Sequence, residues 1–184
     1  MGRLVLQMGL SLDGLMAHPG QARADTGVPP EAPALTARKL DLIRDAGAHL
    51  MGRTTYQEMF SFWPASDHEY AAPMNDIPKV VFSKTLTTAD WPRSTIASGD
   101  TADEVNALKR AHSKDLIAWG GATFAQSLSR HGLVDEYRLV FQPVALGAGL
   151  SLFAGLPKPL VLDLVEATAY DDGSVLHIYR PATR

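Results

Sequence analysis

Short apolar runs and helix-period stretches alternate along most of this chain. Leu4 to Leu10 is the kind of run that a strand buried on both faces needs, and Asp13-Gly14 ends it as a turn. Leu35, Leu40, Ile43 and Ala46, with charges between them, predict an amphipathic helix over 35–46. Ala48 to Met51 predicts the next strand, and a helix runs from Gly52-Arg53-Thr54-Thr55 through about Phe60. Lys79 to Ser83 is a further β run, and Ser94 to Ser98 a short one. A helix starting at Thr101 or Asp103 and reaching about His112 leads into a strand at Leu116–Trp119. Gly120-Gly121 breaks that strand, and Thr123–Arg130 is helical, closed by Gly132. Asp135–Val144 alternates as a long strand, and two last strands, 160–169 and 174–179, flank the hairpin turn Asp171-Asp172-Gly173. His18–Pro33 and Trp63–Pro78 carry no period and are rich in proline, which predicts two irregular excursions.

Strands that alternate with helices and then close in a hairpin predict an α/β fold. Its central sheet is mixed but mostly parallel, flanked by helices, with an antiparallel C-terminal edge. The 184 residues fit one domain over 1–184, with no internal repeat. A formal charge of −3 supplies no global field for nucleic acid or an anionic membrane. No apolar stretch approaches a membrane span, and the N-terminal run is too short for a signal peptide, so a cytoplasmic protein is expected. The absence of cysteine removes disulfides, thiolate metal sites and cysteine nucleophiles. His18, His49, His68, His112, His131 and His177 show no ligand spacing, so no metal is expected.

Three strand ends carry candidate chemistry. At Gly52-Arg53-Thr54-Thr55 a glycine permits close backbone approach, the helix start offers N–H groups to an anion, and Arg53 adds a bidentate phosphate contact. The same residues also read as a plain turn with Thr54 as the cap and Arg53 in solvent. Gly120-Gly121-Ala122-Thr123 opens a helix at the carboxyl end of a strand, where α/β folds bind ligands, but it lacks the G-x-G-x-x-G spacing. Ser83-Lys84 adds one hydroxyl and one cation at a third strand end.

These segments, in this order and spacing, resemble the dihydrofolate-reductase-like superfamily. The similarity is greatest to stand-alone relatives of the reductase domain of the bifunctional riboflavin-biosynthesis enzyme. Ser11-Leu12-Asp13-Gly14, Gly132–Glu136 and Gln142–Phe153 extend the resemblance nearly end to end. The resemblance implies NADPH as cofactor. Arg53 and Thr55 would then take its phosphates, with Gly52 and Thr54 beside them and Ser83 and Lys84 near the adenosine phosphate. It also implies that Gly120-Gly121, often joined by a cis peptide in such proteins, faces the diphosphate and nicotinamide with Ala122 and Thr123. A homodimer and a small heterocyclic substrate follow from the same likeness.

Two departures narrow the substrate. Thr36 falls where folate-reducing relatives carry a helical carboxylate, which disfavours the folate enzyme. Gln7 stands where the riboflavin reductase domain has lysine. Asp13, at the first strand's end, is the candidate to meet a substrate amine or hydroxyl, or else a turn residue. Trp119 stacks on a ring or fills core, and the cluster Phe60, Phe62 and Trp63 lines a pocket or plugs the interior. Two functions remain: an NADPH-dependent reductase of a pteridine- or pyrimidine-like ring, such as 5-amino-6-(5-phosphoribosylamino)uracil, or a nucleotide-binding protein that has lost catalysis and serves as a sensor or sequestering module.

Overall fold

A computed structural model of the protein describes residues 1–16 and 27–183. The first part of the expected 18–33 excursion, up to residue 26, lies outside the described residues, as does His18. The strands are β1 (Leu4–Ser11), β2 (Leu15–Met16), β3 (Ala48–Gly52), β4 (Lys79–Phe82), β5 (Ser94–Ala97), β6 (Leu116–Ala118), β7 (Glu136–Gln142), β8 (Leu150–Ser151), β9 (Leu162–Ala169) and β10 (Val175–Pro181). The helices are α1 (Pro33–Ile43), α2 (Arg53–Phe62), α3 (Ala71–Asp76), α4 (Thr101–Ala111) and α5 (Ala122–Arg130).

The main sheet has the order β5-β4-β3-β6-β1-β7-β10-β9. Pairings from β5 through β7 are parallel, and β10 joins β7 and β9 antiparallel. The central strands alternate between two buried faces. Leu4, Leu6, Leu50, Val80, Leu116 and Ala118 pack with Val105 of α4 and with Phe124, Ala125 and Leu128 of α5. Val5, Met51, Val81 and Ile117 point the other way, against Ile43 of α1, Tyr56 of α2 and Met74 of α3. Both sheet faces are therefore covered, which is why these strands read as continuous apolar runs.

Where pattern and structure differ, the backbone explains it. The first helix starts at Pro33, because proline at the first helical position gives up an N–H that has no intrahelical partner anyway. Strand β7 stops at Gln142 because Pro143 has no N–H to continue the ladder. The Trp63–Pro78 excursion is not wholly irregular: it holds a 3-10 turn at Trp63–Ala65 and helix α3. Pro73 sits in the first turn of α3, where its missing N–H breaks no bond. The two-residue pair β2 and β8 was not predicted, since so short a ladder carries no period.

Among the described residues, no helix is long and apolar enough to cross a membrane. No group of three or more His, Asp or Glu among them is placed to hold a metal ion.

Candidate functional site

Strands β3 and β6 are neighbours, yet the helices that follow them, α2 and α5, pack on opposite faces of the sheet. Chains diverging in this way leave a crevice at the carboxyl ends of the strands. A cleft of about 860 Å3 opens there, within the range of small-ligand sites. The backbone of Gly52 donates to the Gly120 carbonyl at 3.1 Å, so the two glycine-bearing junctions meet side by side.

Glycine caps both helices, Gly52 for α2 and Gly121 for α5, and neither cap has a side-chain hydrogen bond. The turn residue at the first junction is therefore the cap, and Thr54 is not. Arg53, Thr54, Thr55, Ala122 and Thr123 all line the cleft, so two helix starts without side-chain caps open on the same space. Each leaves N–H groups without intrahelical partners and a positive dipole end, which together favour an anion. The walls have little room for side chains. A Cβ on Gly121 would stand 3.2 Å from Thr55 Oγ1, and one on Gly120 would stand 2.8 Å from Met8 Sδ. Gly120 also has φ +88°, a left-handed conformation suited to glycine. The Gly120–Gly121 peptide is cis, as the family resemblance implies.

Two cations stand at the rim. Arg53 is exposed, and its Nη1 donates to Thr85 Oγ1 at 2.9 Å. Lys84 Nζ donates to the Ser98 and Gly99 carbonyls at 2.6 and 2.7 Å, which holds its charge over the β5–α4 turn. Ser83 Oγ accepts from the Thr85 and Leu86 N–H groups and so shapes the loop that carries Lys84 and Thr85, the partner of Arg53. The structure thus brings Gly52, Arg53, Thr54, Thr55, Ser83, Lys84, Gly121, Ala122, Thr123 and Trp119 around one cleft. Gly120 supplies the turn behind them.

Asp13 is not brought there. Ser11 Oγ donates to its carboxylate, and so do the N–H groups of Leu146 and Gly147, at 3.1 and 2.8 Å. The serine hydroxyl, then those two backbone donors, hold the carboxyl down to about 2. Asp13 is a brace between the end of β1 and the 143–149 loop, its oxygens committed to the protein's own donors. The aromatic cluster is not at the cleft either. Phe60 stacks on Tyr56 and Trp91 in the core, Trp63 packs against Tyr70, and Phe62 faces solvent.

Several lining residues were not foreseen. Glu58 and Met59 share the cleft face of α2 with Thr55, a helical spacing legible only once that face is known. Met16 and Leu150 are far apart in sequence and reach the rim through the β2–β8 pair.

Fold and site together define a doubly wound α/β protein with a glycine-walled, anion-receptive cleft at its switch point. The chain belongs to the RibD C-terminal domain family, whose model matches residues 3–176. It is 32% identical over 116 residues to the uncharacterized protein YyaP of Bacillus subtilis, a match that covers 63% of this chain and 61% of that relative. A protein of Shewanella sp. PV-4 described as a "putative riboflavin biosynthesis protein" superposes with a TM-score of 0.78 at 22% identity, over 98% of this chain and 99% of the other. Dihydrofolate reductase from Enterococcus faecalis, complexed with NADP(H) and RAB-propyl, superposes with a TM-score of 0.66 at 13% identity, over 99% and 98%. These likenesses show a dihydrofolate-reductase-like fold.

Proposed function

We propose that this protein binds NADPH in the cleft and reduces a small heterocyclic ring of pteridine or pyrimidine type, with 5-amino-6-(5-phosphoribosylamino)uracil as a model of the class. The observation that carries this reading is the convergence of two helix starts without side-chain caps, beside Arg53 and Lys84, on one cleft. A dinucleotide with an extra phosphate needs that donor set, and the glycine walls admit its backbone-close passage. The fold shared with a reductase described as complexed with NADP(H) supports the same cofactor.

In this reading Arg53, Thr54 and Thr55, with Ser83 and Lys84, take the adenosine-side phosphates. Gly121, Ala122 and Thr123 take the diphosphate, and Trp119 forms the wall toward the ring. When bound, the nicotinamide supplies the hydride. The protein's own residues bind and orient both partners and keep water out. No protein nucleophile is required. A homodimer belongs to the same proposal: edge strand β9 leaves Leu164 and Val165 half exposed, a surface suited to a second copy. Light scattering is expected to give twice the 19.9 kDa chain mass.

Titration with NADPH and NADH, followed by nicotinamide fluorescence, tests the cofactor site. Arg53→Ala is expected to weaken NADPH binding roughly tenfold, about 1.4 kcal/mol, and to leave NADH nearly unchanged. Absence of NADPH binding in the wild-type protein would remove the proposal. Binding without oxidation against a panel of ring acceptors would favour the sensor or sequestering role.

A further inference from the structure

Trp119 closes strand β6 at the cleft, and its backbone N–H is tied to the Leu50 carbonyl at 3.0 Å. That bond fixes where the residue starts but not how its ring lies. The ring is held from behind. Trp119 Nε1 donates to Nδ1 of His49 at 2.9 Å, and the two rings meet edge to face with centroids 5.6 Å apart. His49 is in β3, wholly buried, and its other nitrogen, Nε2, lies 3.1 Å from the Pro73 carbonyl in α3.

An indole nitrogen can only donate and a carbonyl can only accept. His49 must therefore accept through Nδ1 and donate through Nε2, which is the neutral Nε2–H tautomer. An imidazolium would present a second N–H to the indole N–H and break the contact. Burial, the main cause, pushes the His49 pKa down to about 4, in keeping with this arrangement.

We infer that His49 is a positioning residue for the cleft wall: it turns the Trp119 N–H away from the cleft, so that the ring carbons of the indole face it. Such a surface takes a flat conjugated ring by stacking and offers that ring no hydrogen-bond donor. The inference rests on the proposed reading of the cleft as a ring-binding site. It also links the Trp63–Pro78 excursion to that site, because α3 sets the tautomer that holds the wall.

The test is made on the 15N-labelled protein without ligand, so its outcome is separable from that of the NADPH titration. Long-range proton–nitrogen spectra of the wild type are expected to show His49 protonated at Nε2 and bare at Nδ1. The opposite tautomer, or an imidazolium at neutral pH, overturns the inference. The Trp119 indole N–H, assigned by its loss in Trp119→Phe, is expected to resonate downfield and exchange slowly. His49→Phe should move it upfield and raise its exchange rate at least tenfold. His49→Asn, which keeps an acceptor near the Nδ1 position, should restore most of the wild-type signal. An unchanged indole peak in folded His49→Phe overturns the role. If that variant does not fold, the wild-type tautomer and the Asn variant still decide.

Discussion

Glu136→Ala is expected to lower the free energy of unfolding by about 3–5 kcal/mol, read from urea denaturation at neutral pH. The carboxylate is 4% exposed and accepts from Arg138 Nε at 2.8 Å, Arg180 Nη2 at 2.9 Å and Arg3 Nη1 at 3.0 Å. Burial alone would raise its pKa, but Arg138, Arg180 and Arg3 outweigh that and hold it below the usual carboxylate range. Arg3 and Arg180 are about half exposed and would lose little, because solvent screens them. Arg138 is the costly partner. Its side chain is 6% exposed, and without Glu136 its nearest carboxylate is Asp115 at 3.9 Å. Truncation therefore leaves a buried cation with only that distant carboxylate and the Leu42 carbonyl, to which its Nη1 donates at 2.9 Å, and this costs more than the intact pair contributes. Glu136→Gln, which keeps an acceptor, should lose less. A loss under about 1 kcal/mol for the alanine variant would mean that Arg138 finds water or another partner.

The second large effect is acid lability through His49. Its folded pKa lies near 4, below the ordinary value of 6.5, so the unfolded chain binds the extra proton first as pH falls. The stability contributed by keeping His49 neutral is complete above about pH 6.5. It is lost as pH falls through 4, and amounts to about 3 kcal/mol over that window. Burial causes most of the depression, and Lys79 adds to it from the neighbouring strand. Stability measured from pH 7 to pH 4.5 should fall more steeply in the wild type than in His49→Phe, which has no proton to take up. Equal slopes would show that His49 is not the group that titrates. Carboxylates such as Glu136, with folded pKa values below the ordinary range, add their own loss at lower pH.

The three anion-receptive strand ends were legible because each carries its chemistry in a few consecutive residues. A glycine at a strand exit followed by a helix start is a local signature at Gly52 and Gly121, Arg53 directly follows the first of them, and Ser83 and Lys84 directly follow strand β4. Asp13 shows the limit of that kind of reading. As Asp-Gly after a strand it has the look of a ligand residue, but Leu146 and Gly147 claim its oxygens from more than a hundred residues away. Nothing near Asp13 in sequence announces that loop. Glu58 was missed for a related reason: on a mostly polar helix surface, its membership of the cleft face depends on where the helix docks.

The type and order of the longer elements followed from the chain's own periodicities, because burial on both sheet faces demands apolar runs and burial on one helix face demands the helical repeat, whereas α3 and the β2–β8 pair are too short to show a period. The same holds for the glycines, whose backbone freedom is a property of the residue itself. Which strands became neighbours was decided only by packing: β6 had to insert between β1 and β3 before Gly52 and Gly120 met. The pairing of His49 with Trp119, the charge cluster around Glu136 and the engagement of Asp13 all join residues that local pattern leaves unrelated. Such contacts are selected by the complementarity of buried donors and acceptors, and that complementarity exists only once the sheet has closed.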